Sequence, residues 1–315
     1  MKPDAAWRRG VALALAGGCF VWSLAGCASR PAPGPKLTPL SQIEPELAEI
    51  WRAYRESSLP GGIERWEAAR ARALADPRAT RFLVDNLGAE MVAAFEREDA
   101  FTKASPASRF LRARGELVRL GEPAVPLLVG MLSADDVLAR LAGDTLEQIG
   151  APAGMELLRA LESKDIKTRR RAGELLVRLP PLGASDAFLV EALERAAAGE
   201  PDLQARAFAI EALGARAQAC GEGARVEAQL VALLGDSEAL FAGRAARGLA
   251  RLGELRLAAP LLQAYERGLR SGDPLLRREL QAALTLLAPA TGRPLPRPAP
   301  NSLTAWRAFF SVPAR

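Results

Sequence analysis

The sequence predicts an all-α protein, an α-solenoid made of repeated helical hairpins. From Glu44 onward alanine, leucine, arginine and glutamate dominate, and these residues are strong helix formers. No segment shows the alternation of apolar and polar residues that indicates a half-buried strand. Short breaks that end a helix recur along residues 105–288 at spacings of 29 to 39 residues, which is typical of stacked helical repeats.

Residues 1–26 have the layout of an export signal. Lys2, Arg8 and Arg9 precede an apolar run of 16 residues, from Val11 to Gly26. A transmembrane helix needs about 20 apolar residues, so this run is short for a membrane span. A positive start, an apolar middle and a small-residue end are typical of a cleaved signal peptide. An ordinary secretory signal and an uncleaved anchor are the alternatives.

The end of this run, Leu24-Ala25-Gly26-Cys27, resembles the lipobox of bacterial lipoproteins. The resemblance implies cleavage before Cys27 and acylation of its thiol by a fatty acid such as palmitate. It therefore implies a lipid-anchored protein of the cell envelope that faces the periplasm. Ala28 stands where an aspartate is associated with retention in the inner membrane, and this favours the outer membrane.

Residues 27–42 predict a lipidated, proline-rich tether. Prolines are frequent in ASRPAPGPKLTPLSQ, which has no apolar periodicity. Proline-rich chains extend by about 3.1 Å per residue, so residues 28–42 could span about 45 Å. Such a segment would hold a folded domain away from a membrane surface.

Residues 43–104 predict a helical N-terminal cap of three or four amphipathic helices. They do not match the repeat of the residues that follow, and a stack of repeats needs a closing unit at its end. Trp51 and Trp66 are the apolar side chains expected to plug this end.

Residues 105–288 predict a repeat array. In each unit an apolar pair closes one helix, a break follows, and a leucine-rich helix comes next. The breaks are Gly121, Gly150, Pro180, Gly214, Gly253 and Ala288. Residues 214–225 are expected to form the longest loop of the array.

An aspartate precedes an arginine in the turn between successive units. The pairs are Asp136 and Arg140, Asp165 and Arg170, Asp202 and Arg206, Asp236 and Arg244, and Asp273 and Arg278. Asp273, which precedes Pro274, is a predicted helix N-cap, and the arginine of each pair is expected over the same helix end. These residues resemble HEAT repeats over about residues 106–288. The resemblance implies two antiparallel helices per unit, stacked into a solenoid that binds other proteins through an extended surface.

Residues 289–315 predict a proline-rich C-terminal tail with a docking segment. Proline is frequent up to residue 300, and TAWRAFF follows. Trp306, Phe309 and Phe310 are expected to dock on the last helices of the array, where they would remove apolar surface from water.

The chain has no histidine, and this excludes several classes of function. Ser-His-Asp and Cys-His nucleophiles and histidine-containing zinc sites all need one. After cleavage before Cys27, only Cys220 is a free thiol, so no internal disulfide and no cysteine-rich metal site is predicted. Loss of the signal lowers the formal charge from +5 to +3, which is too small an excess to indicate nucleic-acid binding.

Two charged clusters in the array are candidate sites. The basic cluster consists of Lys164, Lys167, Arg169, Arg170 and Arg171. It could contact a phosphate. The favoured interpretation is a solvent-exposed start of a helix in which Arg170 pairs with Asp165. Asp135 and Asp136 could be a catalytic or calcium-binding pair, but helix N-caps need no further ligands and are favoured.

Cys220 and the glycines around it are weaker candidates. A reactive thiol needs a group that lowers its pKa, and without a histidine a bystander thiol is the favoured interpretation of Cys220. Gly214, Gly221 and Gly223 match neither glycine motif that binds phosphate. The sequence predicts no catalytic residue, no metal site and no cofactor.

The predicted function is that of a membrane-anchored scaffold or adaptor without catalysis. It would bind another protein or peptide through the solenoid surface, with no residue of that surface identified by a motif. Two alternatives stay open. Some HEAT-like proteins are bilin lyases, and a lyase-type enzyme would need convergent carboxylates that show no regular spacing here. An envelope assembly factor is the other alternative.

Overall fold

The computed structural model describes residues 43–97, 108–182, 185–296 and 299–311. The described residues form fifteen α-helices and no strand, so the all-α prediction is confirmed. The predicted signal, the lipobox residues Leu24, Ala25, Gly26 and Cys27, and the tether lie outside the described residues.

Three helices of the described residues precede the predicted array. They are α1 (Pro45–Arg55), α2 (Gly62–Ala75) and α3 (Pro77–Arg97). Trp51, Tyr54 and Trp66 are buried between them, and the Tyr54 ring lies 4.8 Å from the Trp51 ring and 5.3 Å from the Trp66 ring, measured between centroids. The Arg112 guanidinium, on the next helix that the structure describes, lies 5.1 Å from the centre of the Tyr54 ring. Burial raises the pKa of Tyr54 to about 12.

Two series of helices alternate along residues 109–287. The first series is α4 (Arg109–Leu120), α6 (Asp136–Ile149), α8 (Ile166–Arg178), α10 (Leu203–Cys220), α12 (Ala239–Arg251) and α14 (Pro274–Leu287). The second is α5 (Val125–Gly130), α7 (Gly154–Ala160), α9 (Ser185–Gly199), α11 (Gly223–Leu233) and α13 (Ala258–Ser271). Short 3-10 turns cover Glu122–Ala124, Met131–Ser133, Ala151–Ala153, Leu255–Leu257 and Ala288–Thr291.

The packing of the two series follows chain order. Each helix of the first series contacts the next helix of that series, and each helix of the second series packs on the first-series helix that follows it. Apolar side chains from both series join one continuous core together with those of α1–α3. Neighbouring units therefore bury one another's apolar faces, which a single hairpin could not do.

Aspartates cap several first-series helices, and the caps at Asp135 and Asp273 were predicted. The side chains of Asp135, Asp165, Asp202 and Asp273 accept hydrogen bonds from backbone N–H groups two or three residues further on, at 2.7 to 3.1 Å. Each satisfies donors that the first turn of a helix leaves unpaired. Asp236 is not a cap, because α12 begins after Glu238, whose side chain makes no capping bond.

The predicted breaks at Gly121 and Gly150 are glycines in a conformation that other residues avoid. Gly121 has φ 65° and ψ −124°, and Gly150 has φ 72° and ψ −127°. A side chain at such a positive φ would be strained, so glycine ends α4 and α6 at these points.

The predicted break at Gly214 and the loop over residues 214–225 are wrong. Helix α10 continues through Gly214 to Cys220 and ends at Gly221, which has φ 79°. Gly214 lies against Gly248 of α12, and an ideal Cβ at Gly214 would be 2.1 Å from the Gly248 carbonyl oxygen. This glycine therefore serves the close approach of two helices and does not end one.

The predicted pairing of Arg170 with Asp165 is also wrong. Arg170 donates to both carboxylate oxygens of Asp202, in the following unit, at 2.7 and 2.6 Å. Arg171 donates to Asp136, in the preceding unit, at 2.6 Å. A residue five positions after the N-cap lies about 140° further around the helix, so it faces a neighbouring unit and not its own cap.

The Asp202 pair predicts a pH dependence of stability. The hydrogen bonds from Arg170 lower the pKa of Asp202 from 3.8 to about 2. Because this pKa is lower in the folded chain, the pair stabilises the fold above about pH 4. That stabilisation is lost as the pH falls towards 2. Asp202→Asn should remove this part of the pH dependence. The contribution of the pair to the free energy of unfolding is roughly 1 kcal/mol or less, because solvent screens the pair.

Urea unfolding followed by circular dichroism at several pH values measures this effect. Asp144→Asn is the matched control, since the Asp144 carboxylate has no ion pair among the described residues. An Asp202→Asn variant that loses stability on acidification as steeply as the control would contradict the prediction.

The C-terminal segment docks where it was expected. Helix α15 (Leu303–Ser311) packs on α13, with Trp306 and Phe309 buried and Phe310 partly buried. The Arg293 Nη1 donates to the Phe309 carbonyl oxygen at 2.7 Å, and its guanidinium lies over the Phe309 ring. This contact fastens the end of the segment to the residues that follow α14.

Candidate binding groove

A groove crosses the C-terminal ends of four successive first-series helices, α8, α10, α12 and α14. Its volume is about 510 Å³. Much of its lining is apolar, with Pro181, Ala219, Ala250 and Leu286 among the side chains. Leu286 is 40% exposed, so this surface is open to a partner. We call this feature the C-terminal groove.

The charged side chains that line the C-terminal groove are all arginines. Arg178 ends α8, Arg216 lies in the last turns of α10, and Arg251 ends α12. No carboxylate of the described residues lines the groove. The free carbonyl groups at helix C-termini carry partial negative charge, so cations are stable at this edge.

Arg216 is the most deeply buried of these arginines, with 4% of its side chain exposed. Its Nη1 donates to the Pro180 carbonyl at 3.0 Å and to Asp186 Oδ1 at 3.2 Å, and its Nη2 donates to the Leu179 carbonyl at 2.5 Å. Burial lowers the pKa of Arg216, and the Asp186 carboxylate opposes that shift. The guanidinium thus satisfies the carbonyls of the two residues that directly follow α8.

Arg251 is held by a second buried carboxylate, Glu211 of α10, whose side chain is 2% exposed. Glu211 accepts from Arg251 Nε at 3.2 Å and Nη2 at 3.1 Å, and from Arg244 Nη1 at 2.5 Å. Arg247 lies 4.0 Å from the same carboxylate and donates to Glu279 of α14 at 2.5 Å. This network links three helices and fixes Arg251 at the groove.

The small residues of α10 and α12 make this network possible. Where Gly214 meets Gly248, the two backbones approach without side chains between them. Because the helices are this close, arginines of α12 reach Glu211 on α10. The glycines therefore allow the close approach of α10 and α12, and this approach brings Glu211 and the α12 arginines together.

Two other grooves differ from it in charge. One of about 250 Å³ between α6 and α8 is lined by three carboxylates and three arginines, and Arg178 lines both this groove and the C-terminal groove. A larger one, of about 690 Å³, lies between α3 and the start of α5 and has Arg81 and Asp85 as its charged lining. These two side chains face each other at 4.0 Å. Only the C-terminal groove of the three has charges of one sign.

The predicted basic cluster ties neighbouring units together. Arg169 donates to both oxygens of Glu200 at 3.0 Å, and Arg170 and Arg171 contact Asp202 and Asp136 as described above. Lys164 and Lys167 are exposed. The structure therefore uses the arginines as inter-unit contacts. Asp135 is a helix cap as predicted, but the predicted cap at Asp136 is wrong, because Asp136 is the first residue of α6 and pairs with Arg171.

Cys220 is the last residue of α10 and is partly exposed. Its Sγ donates to the Ala217 carbonyl at 3.7 Å, and it adjoins Ala219 of the C-terminal groove. Gly221 ends α10, and Gly223 begins α11. Neither glycine belongs to a strand-led phosphate loop.

Sequence reasoning missed the buried charges Asp186, Glu211 and Arg216. Each stands at a helical position that the apolar periodicity assigns to the core, and a charged residue at such a position indicates a buried partner. Among the described residues, no three histidine, cysteine, aspartate or glutamate side chains come together to hold a metal ion.

Comparison with protein-family models gives no match for this chain, and comparison with curated proteins gives none either. None of the described helices is both long enough and apolar enough to cross a membrane.

Proposed function

We propose that this protein is a non-catalytic scaffold, anchored in the bacterial envelope by a lipid on Cys27. The tether of residues 27–42 spaces a HEAT-like solenoid from the membrane, on its periplasmic side and by preference at the outer membrane. The solenoid holds another protein or peptide. The lipobox sequence and the proline-rich segment after it support the anchor.

The regular packing of residues 109–287 supports a solenoid. Helices alternate between two series, aspartate caps recur at first-series helices, and arginines join each unit to the next. Repeats that contact mainly their neighbours present long surfaces, and such surfaces bind extended partners.

The C-terminal groove is the single observation that carries the binding function. It crosses four successive units and combines exposed apolar surface with arginine side chains. Interface cores are typically apolar, with arginine enriched and other charges depleted. A protein or peptide partner fits this composition.

Crosslinking of the full chain in its own membranes tests the proposal. The wild type should capture a defined protein, and Leu286→Asp should lose most of that capture because it puts a charge into the apolar lining. Leu269→Asp is the matched control, since Leu269 is 39% exposed, close to the 40% of Leu286, and lies on α13 outside the groove. Equal capture by both variants would contradict the proposed site.

Cys27→Ser tests the anchor in the same membranes. This variant should incorporate no labelled palmitate and should accumulate as unprocessed precursor. Normal processing of the variant would contradict the lipid anchor without bearing on the groove.

A further inference from the structure

The arginines at the C-terminal groove are ion-paired within the chain, but some of their N–H donors have no hydrogen-bond acceptor among the described residues. Arg178 forms ion pairs with Glu147 at 3.5 Å and with Glu174 at 3.8 Å, but it donates no hydrogen bond among the described residues. Arg251 donates from Nε and Nη2 to Glu211, and no described residue accepts a hydrogen bond from its Nη1. The buried Arg216 Nε has no acceptor either. The groove therefore offers more donors than the chain fills.

Two of these arginines are accessible to an anionic ligand. Arg251 is 29% exposed and Arg178 is 42% exposed, so a ligand reaches both, while Arg216 and Glu211 hold the wall behind them. Arg216 and Arg251 are close enough for each to oppose the charge of the other, and this repulsion contributes to the lowered pKa of Arg216. A carboxylate near the two guanidinium groups would relieve that repulsion.

The apolar lining selects the kind of anion. Leu286, Ala219 and Pro181 lie in the same groove as the arginines, so a ligand that fills it needs apolar side chains beside its negative charge. A free phosphate would leave this surface bare. An extended nucleic acid needs a broad positive field, and the mature chain has only a small net charge.

From these observations we infer that the C-terminal groove binds a peptide segment in which glutamate or aspartate alternates with leucine-like side chains. The inference rests on the proposed scaffold function and names the chemistry of its partner. Carboxylates of the peptide pair with Arg178 and Arg251, and its apolar side chains cover Leu286. Arg216 positions the wall and is not required to touch the peptide.

Fluorescence anisotropy tests this inference with the full chain in detergent. The probes are fluorescein-labelled short peptides that contain glutamate and leucine, and a second set with glutamine in place of glutamate. We expect the acidic set to bind at least about tenfold more tightly, because charge-assisted hydrogen bonds to arginine are the stronger ones. Raising the salt concentration should weaken the acidic set selectively.

The double variant Arg178→Gln and Arg251→Gln should lose roughly tenfold in affinity for the acidic peptides. Glu211 keeps Arg244 in this variant, so its charge stays paired. The matched control replaces Arg159 and Arg270 by glutamine, which removes the same charge from exposed helical pairs outside the groove. Arg178→Glu, a change at an exposed position, should repel the acidic peptides even if the double variant unfolds.

Several results would overturn the inference. These are equal binding of the acidic and glutamine peptides, equal effects of the groove and control variants, or displacement of the peptide by inorganic phosphate at low concentration. If Leu286→Asp abolishes capture while the arginine variants bind the acidic peptides normally, the proposed scaffold function is supported and the inferred preference for acidic peptides is wrong. If Leu286→Asp leaves capture intact, the C-terminal groove is not the binding site.

Discussion

Glu211→Gln should lower the free energy of unfolding by about 3–5 kcal/mol, which is the usual cost of removing one partner of a buried ion pair. The Glu211 side chain is 2% exposed and holds Arg244 and Arg251 by hydrogen bonds, with Arg247 at 4.0 Å. Glutamine keeps the shape and one acceptor oxygen but removes the charge. The guanidinium groups at the contact of α10 and α12 then repel one another, because the negative charge that offset them is gone. Urea unfolding at neutral pH measures the change.

Glu49→Gln is the control for this prediction. Glu49 is 60% exposed and pairs with Arg72 on the surface, so its loss should change the free energy of unfolding by less than about 1 kcal/mol. Adding Arg251→Gln to Glu211→Gln should recover part of the loss, because it removes one of the uncompensated charges. Equal stability of the Glu211 and Glu49 variants would mean that the network contributes little to folding.

Gly214→Ala should destabilise the fold by about 1–3 kcal/mol, the range observed when a packed contact is overfilled. An alanine Cβ there would lie 2.1 Å from the Gly248 carbonyl oxygen, which is backbone and cannot turn away as a side chain could. The helices α10 and α12 would have to separate. This separation would also disturb the contacts from α12 to Glu211, so binding at the C-terminal groove should weaken together with stability.

Gly115→Ala in α4 is the matched change. Gly115 is also inside a helix, but a Cβ there would meet nothing within 4 Å. Alanine should therefore stabilise this helix by about 0.5–1 kcal/mol, because glycine costs more conformational entropy on folding. Thermal and urea unfolding of the two variants should move in opposite directions, and a stabilising Gly214→Ala would disprove the close contact as the reason for this glycine.

Helix caps were within reach of sequence reasoning because they are local. An aspartate two or three residues before its backbone partner needs no knowledge of the rest of the chain, and Asp135 and Asp273 cap helices as predicted. Asp165 and Asp202 cap helices in the same way. Glycine was harder to interpret. Gly150 and Gly214 look alike in sequence, yet one ends a helix and the other lets two helices meet.

The C-terminal groove was not predictable, because its parts come from distant segments. Arg244 and Arg251 reach Glu211 across 33 and 40 residues. Helical periodicity indicates which face a residue occupies, but not which residue of the neighbouring helix stands opposite. For this reason the sequence predicts that Arg170 pairs with Asp165 of its own turn, whereas in the structure Arg170 donates to Asp202.

The sequence by itself determined the helical class, the capping residues and the chemistry available to the chain. These follow from local propensity and from composition, above all from the absence of histidine. Tertiary structure alone decided that α10 and α12 meet at Gly214 and Gly248 and that arginines from three helices line one groove. The physical reason is that packing fixes the register between helices, and register decides which charges become neighbours.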